Sequence, residues 1–303
     1  MKNATTFRLG LLSAVWISLV LCGCESIEPE RRPSQGAAAP VRPATGIIAP
    51  TIASSMAPTP ISAPAIYAES AIMIDAVTGR TIYEKNASQR RQVASTQKLL
   101  TALLIAESGS LDGSITIAPA DTQVEPVKLS VKAGQTYSRR SLLTAMMVKS
   151  SNDAAAALAR DHSGSVSAFV QAMNRRAAML GADSSYFANP HGLPAAQFST
   201  ARDVARFAFY AYRKPDLRAM MALPAYTFVF TNGRTTRLES TNKLLARSPI
   251  FNGMKTGYTV AAGRCFVTSA SYGGRQVILV QLGSRTKYIF DDAERLIRWA
   301  LNF

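Results

Sequence analysis

Histidine, cysteine and tryptophan are scarce in this 303-residue chain, which has two, three and two of them. His162 and His191 stand far apart with no spaced cluster of ligands, so a metal centre has little to be built from and no cofactor is expected. Acidic residues are also few, 19 against 34 Lys and Arg, for a net charge of +15. Long apolar stretches are missing too: the amino-terminal run from Leu9 to Cys22 is too short to span a bilayer comfortably.

That short run carries the layout of a secretory signal, with Lys2 and Arg8 ahead of it and a lipoprotein-like cleavage box, Leu21-Cys22-Gly23-Cys24, behind it. Cleavage before Cys24, leaving residues 1–23 as signal peptide, would expose a cysteine for lipid attachment and anchor the protein in the membrane. Cys22 is a departure, because that site usually holds a small or aliphatic residue. An ordinary signal peptide or an uncleaved anchor are the alternatives, and each exports the domain to the bacterial periplasm or cell envelope. Cys265 would then be the only cysteine of the fold. It sits in the apolar run Cys265-Phe266-Val267 and reads as a buried core residue.

Residues 24–66 change character, with eight of the 15 prolines falling between Pro29 and Pro64 among Ala, Ser and Thr. Such a segment buries too little apolar surface to offset its ordering entropy and reads as a disordered tether. Its length would span roughly 35 Å as a coil and about 125 Å as polyproline II. Residues 67–303 then read as one large domain with chain enough for a substantial core. Loss of Lys2 and Arg8 with the signal lowers the net charge from +15 to +13. A nucleic-acid partner lacks any motif and conflicts with export, whereas anionic lipid head groups and wall polymers suit the charge.

Within the domain, Ala71–Asp75 and Thr81–Glu84 flank a glycine-containing turn and predict a hairpin. Ser95 is followed by Leu99, Leu100, Leu103, Leu104 and Ile105, a helix apolar on most of its surface and therefore buried. Helical spacing recurs at Leu142 to Met147, at Phe169 to Leu180 ahead of Gly181, and after Thr200. Asn232-Gly233 marks a second hairpin, strands follow over 255–259, 264–271 and 276–282, and a helix over 291–299 closes the chain. The pattern predicts an α+β class: an antiparallel sheet covered by helices on both faces, with a mostly helical lobe inserted mid-sequence.

Three short strings carry the chemistry: Ser95-Thr96-Gln97-Lys98, Ser150-Ser151-Asn152 and Lys255-Thr256-Gly257. In this order they resemble the signature of penicillin-binding proteins and class A β-lactamases. The surrounding strings Ser150–Ala154, Asn189–Leu193, Thr241–Leu245 and Gly253–Thr259 resemble the low-molecular-mass penicillin-binding proteins, serine D-alanyl-D-alanine carboxypeptidases and endopeptidases of the peptidase S11 type. The resemblance runs from about Ser70 to the C-terminus and implies the β-lactamase/DD-peptidase-like fold. It also implies peptidoglycan stem peptides as substrate and β-lactam antibiotics as covalent inhibitors.

A serine hydroxyl needs a nearby base to attack a carbonyl. Lys98, three residues beyond Ser95, lies on the same helical face, and burial or a second cation would depress its pKa enough to free its lone pair. Alone, the string could be a capping serine and a solvated lysine. The resemblance supplies the second cation as Lys255, gives Ser150 a proton relay to the leaving amine, and has Asn152 bind the substrate peptide group. It also implies that Lys255 and Thr256 hold the terminal carboxylate and that the amides of Ser95 and Tyr258 form an oxyanion hole. Gly257 lets backbone approach the substrate without a Cβ. Arg285 is a second candidate for the carboxylate, against a plain surface role. His191 reads as part of a structural loop.

A class A β-lactamase needs an extra carboxylate between its second and third motifs, and here the only glutamate between Asn152 and Lys255 is Glu239, inside the predicted hairpin. A carboxypeptidase is therefore expected, with an endopeptidase as the alternative: the chain ends soon after Trp299, without the β-rich C-terminal domain of many family carboxypeptidases. A wall-binding or penicillin-sensing module is the non-enzymatic alternative, disfavoured because every reactive position is filled. If Cys24 is the lipid site, Cys24→Ala should abolish acyl labelling and lipoprotein-type processing. Intact-mass analysis of the membrane fraction checks this, and an amino terminus other than Cys24 would refute it.

Overall fold

The computed structural model describes residues 62–302, so the signal, Cys24 and most of the predicted tether lie outside the described residues. Strands β1 (Ser70–Asp75) and β2 (Thr81–Lys85) form the opening hairpin, and a 3-10 turn at Ala94–Gln97 runs into α1 (Lys98–Glu107). A short ribbon of β3 (Ser114–Thr116) and β4 (Thr136–Ser138) precedes α2 (Arg139–Lys149), α3 (Asn152–Ser163), α4 (Val166–Met179), α5 (Ala201–Tyr212) and α6 (Pro215–Met221). A second ribbon, β5 (Ala225–Val229) with β6 (Thr235–Glu239), leads through a 3-10 turn at Lys243–Ala246 to β7 (Phe251–Thr259), β8 (Gly263–Tyr272), β9 (Arg275–Ser284) and α7 (Ile289–Leu301).

The main sheet is antiparallel in the order β2-β1-β9-β8-β7, which leaves β7 at one edge. Its strands carry almost continuous apolar runs because both faces are covered. Ile72, Ile74, Ile278 and Val280 pack with α1 and α5 on one side, while Ala71, Met73, Val277 and Leu279 pack with α7 on the other. The period of two thus sorts neighbouring residues into two separate cores. Helix α7 answers with Ile289, Ala293, Leu296, Ile297 and Ala300 on one stripe, and Asp291 and Asp292 in its first turn suit the helix dipole. The architecture is the predicted α+β sandwich with a helical lobe, α2 to α6, beside it.

Side-chain caps set where the lobe's helices begin. Ser138, Ser165 and Thr200 accept hydrogen bonds from the amides of Ser141, Ala168 and Asp203 at 3.1, 3.1 and 3.0 Å. Helices α2 and α3 are broken apart by Ser150, which is left-handed at φ 70°, and by Ser151. That break turns Ser150 and Asn152 out of a continuous helix and towards the sheet.

Several elements differ from expectation. The β3–β4 ribbon and α6 were not anticipated, and β7 starts at Phe251 rather than Lys255. Ile66, at the end of the predicted tether, is buried with Ala63 against the α7 core, and its carbonyl accepts from Lys85 Nζ at 2.9 Å. Packing against the domain therefore begins a few residues before Tyr67. Leu296→Ala should cost about 2–5 kcal/mol, because a buried leucine at a sheet–helix seam leaves a cavity that rigid strands cannot fill. Urea denaturation measures this, and a loss below about 1 kcal/mol would contradict the packing described.

Candidate active site

Ser95 does not open an α-helix. It lies in the 3-10 turn Ala94–Gln97, and Lys98 is the first residue of α1. In 3-10 geometry side chains at i and i+3 nearly eclipse, so the serine hydroxyl and the lysine ammonium are forced together more closely than a regular α-helix requires. Lys98 Nζ stands 3.0 Å from Ser95 Oγ. It also donates to Asn152 Oδ1 at 2.7 Å and to the His191 carbonyl at 2.6 Å.

Three neighbours for one amine decide what it can do. As an ammonium, Nζ donates to all three. Once it loses a proton, Asn152 Oδ1 and the His191 carbonyl, which can only accept, hold the two remaining N–H groups, and the lone pair is left for the Ser95 hydroxyl. Burial pushes the Lys98 pKa well below the usual lysine range, the positive charge of Lys255 lowers it further, and Asp153 opposes them weakly. The amine is thereby prepared as a base aimed at Ser95.

Lys255, in edge strand β7, is also fully buried, and that burial lowers its pKa to about 7. Its Nζ donates to the Thr256 carbonyl at 2.8 Å. Thr256 Oγ1 donates to Thr241 Oγ1 at 2.6 Å, tying β7 to the segment before the 3-10 turn at Lys243. At Gly257 a Cβ would come within 2.8 Å of the Ser95 amide nitrogen, so the missing side chain is what lets β7 lie against the nucleophile turn. Ser150 lines the cleft with no hydrogen bond to its hydroxyl among the described residues.

Two sets of supports lie inside strings that carried the resemblance, but the sequence assigned them no contact. Asn189 shapes the 189–193 loop: its Oδ1 accepts from the amides of His191 at 3.3 Å and Gly192 at 2.8 Å, while its carbonyl accepts from Gln97 Nε2 at 2.5 Å. This loop delivers the His191 carbonyl to both Ser95 Oγ, at 3.2 Å, and Lys98 Nζ. The His191 ring is no base in this site, because burial and the Lys98 charge lower its pKa to about 3. Across the cleft, the buried Asp153 carboxylate accepts from the amides of Leu129, Ser130 and Ala154, each at 2.9 Å, fixing the wall that includes Pro126 and Val127.

These elements enclose a cleft of about 640 Å³ that runs from Ser95, Ser150 and Gly257 along β7 to the start of α7. Tyr258 lines it with half of its surface exposed, and the Arg264 guanidinium stacks 4.4 Å from its ring centroid. Arg285 is not among the lining residues. It is exposed in the turn after β9, where its carbonyl accepts from the amides of Tyr288 and Ile289, and Thr286 and Lys287 face the cleft instead. The thiol of Cys265 is buried and its pKa is raised to about 11.

A family model described as D-alanyl-D-alanine carboxypeptidase, peptidase S11, matches residues 57–286. The chain belongs to the peptidase S11 family. A D-alanyl-D-alanine endopeptidase of Pseudomonas aeruginosa is 35% identical over 236 residues, covering 76% of each chain. A D-alanyl-D-alanine carboxypeptidase of Mycobacterium tuberculosis is 33% identical over 244 residues, covering 78% of this chain and 83% of that one. Among solved structures, the Streptomyces K15 DD-transpeptidase superposes with a TM-score of 0.75 at 29% identity, covering 80% of this chain and 100% of that one. The S11 assignment accords with the order in which the site residues meet in space: nucleophile turn, helix break, edge strand.

Gly192 offers a test of this arrangement. Its φ is +87°, and a Cβ there would come within 2.1 Å of the Ala94 carbonyl oxygen, directly behind the nucleophile. Gly134 has a similar φ of +82° with nothing within 4 Å. Alanine at either position should cost about 1–2 kcal/mol of backbone strain, but Gly192→Ala should cost at least about 2 kcal/mol more through the clash. Chemical denaturation of the pair isolates that difference, and equal losses would refute the close approach.

Proposed function

We propose that this protein is a penicillin-sensitive serine DD-peptidase that cleaves the D-alanyl-D-alanine bond of peptidoglycan stem peptides through an acyl-enzyme, acting as a D-alanyl-D-alanine carboxypeptidase. The observation that carries the reading is the buried Lys98 amine with two fixed acceptors and one free direction, towards Ser95 Oγ. Lys98 takes the hydroxyl proton as Ser95 Oγ bonds to the substrate carbonyl carbon. The tetrahedral oxygen is held by the Ser95 and Tyr258 amides, and such donors are worth ~3–4 kcal/mol each in comparable sites. Ser150 passes the proton to the departing amine, D-alanine leaves, and water then releases the peptide. Asn152 aligns the substrate peptide group, while Lys255 and Thr256 receive the terminal carboxylate. The exposed Arg285 turn is the weaker candidate for that carboxylate.

A second reading, a D-alanyl-D-alanine endopeptidase cutting cross-links, draws support from the Pseudomonas aeruginosa relative of that name. Both reactions use one acylation step and differ in the leaving amine. Free D-alanine released from a pentapeptide, compared with cleavage of cross-linked muropeptides, separates them. Export, with anchoring through a lipid on Cys24, fits a wall substrate.

Two outcomes follow from the site. Because Lys98 must be neutral to act, kcat/KM for acylation should fall as pH drops below its depressed pKa. Lys98→Ala should remove that acid limb and lower acylation by about 10²–10⁴; an unchanged pH profile would refute Lys98 as the base. Penicillin should label Ser95 alone and leave slowly. The one carboxylate lining the cleft, Asp291, is paired to Arg247 at 2.6 Å, and Glu239 is exposed and paired to Arg237 at 2.7 Å. With neither placed to activate water, the penicilloyl-enzyme should outlive the peptidyl-enzyme, each tenfold amounting to ~1.4 kcal/mol of barrier. Pulse-chase labelling checks this, and rapid multiple turnover of penicillin would point instead to a β-lactamase.

A further inference from the structure

The cleft is far more basic than the proposed reaction at Ser95 requires. Lys149, Lys243, Arg247, Arg264 and Lys287 line it against the single acid Asp291. Only Arg247 has its charge answered there, by Asp291 at 2.6 Å and Glu294 at 3.4 Å. Lys149, Lys243, Arg264 and Lys287 have no acidic partner among the described residues. None of these cations is Lys255, the buried lysine assigned to the terminal carboxylate.

Arg264 is the best oriented of them. It faces Tyr258 across the β7–β8 ladder, its guanidinium stacks on that ring at 4.4 Å, and its Nε donates to Thr286 Oγ1 at 3.0 Å. Stacking and one hydrogen bond fix the plane of the fork and leave its remaining N–H groups for a ligand, the geometry in which arginine reads carboxylates. Lys287, next to Thr286 in sequence, lines the same end of the cleft. Gly257 packs on the Ser95 turn, and Tyr258 is the next residue along the strand. With ~3.4 Å per extended residue, this cationic end is one or two residues of an extended peptide away from the scissile bond.

We propose that Arg264 and Lys287 form a second anion subsite, separate from the one for the terminal carboxylate, that binds a non-terminal carboxylate of the stem peptide. The inference rests on the DD-peptidase reading and sets its specificity: stem peptides with that carboxylate free are preferred to those in which it is amidated. Two stem-peptide carboxylates qualify chemically, that of the γ-linked glutamate at the second residue and, where the third residue is a diamino diacid, the one on its side chain.

The test uses the full chain and three synthetic pentapeptides ending in D-alanyl-D-alanine: one with both carboxylates free, one amidated at the second residue and one amidated at the third. Free D-alanine is measured as kcat/KM. Amidation at one of the two positions should lower kcat/KM about tenfold, as loss of a charge-assisted hydrogen bond does, chiefly through KM, and the sensitive position names the source. That preference should shrink at high salt and fall towards unity in Arg264→Gln and Lys287→Ala, whose folding is verified by thermal melting. Equal cleavage of all three peptides, or a preference that survives in both variants, overturns the subsite while leaving the peptidase reading intact. Failure to cleave any of them, together with no penicillin labelling, overturns the peptidase reading and the subsite with it.

Discussion

The site depends on keeping one amine in a place where its charge is poorly tolerated. Lys98 is fully buried, and burial is the first cause of its lowered pKa. An ammonium would have to be stabilised there by three hydrogen bonds and a distant carboxylate, with a second buried lysine working against it. The fold shifts the balance towards the neutral amine, and neutrality is the state that the proposed chemistry at Ser95 needs. Stability and reactivity therefore pull the same way. Between the folded pKa of Lys255, about 7, and its ordinary value, the unfolded chain binds the extra proton, so this lysine makes stability rise with pH through that window.

Everything around Lys98 is arranged to preserve its two acceptors. The His191 carbonyl is presented by a loop that Asn189 folds and Gln97 fastens, and Gly192 lets that loop touch Ala94. Asn152 is presented by the break between α2 and α3, where Ser150 adopts a left-handed conformation at a cost of order 1–3 kcal/mol. Asp153, the next residue, fixes the opposite wall through the amides of Leu129 and Ser130. Loop, helix break and 3-10 turn converge on one nitrogen atom.

The side chains that meet at Lys98, Ser95 and Asn152, were named from the sequence because the proposed chemistry demands particular residue types in a fixed order. The His191 carbonyl was not, since a backbone oxygen is written into every residue and only the loop's shape gives it a role. Arg285 could not be placed from sequence, because the turn that starts α7 decides which side chains face the cleft: Arg285 is exposed there, and Thr286 and Lys287 line the cleft. At the level of fold, the Asn232-Gly233 hairpin stood out through turn chemistry, α5 through its Thr200 cap, and α2 and α4 through apolar spacing. The β3–β4 ribbon did not, because each strand has three residues and buries only Ile115 or Tyr137. The 3-10 turn at Ser95 was hidden for another reason, since an apolar run reads alike whether its first turn is tight or regular.

The pairing of β1 with β9 bears on how the molecule comes into being. Ser70 lies opposite Leu282, so the first strand of the sheet must wait for the last before it gains its inner neighbour. Closing so long a loop comes late in folding. A chain delivered from its amino terminus, whether by synthesis or by export, would carry Ser95 and Lys98 in an unfinished sheet until nearly all of it had emerged. Lys98 would meanwhile be hydrated and charged, and the serine inert. The site is thus assembled only once the sheet is complete.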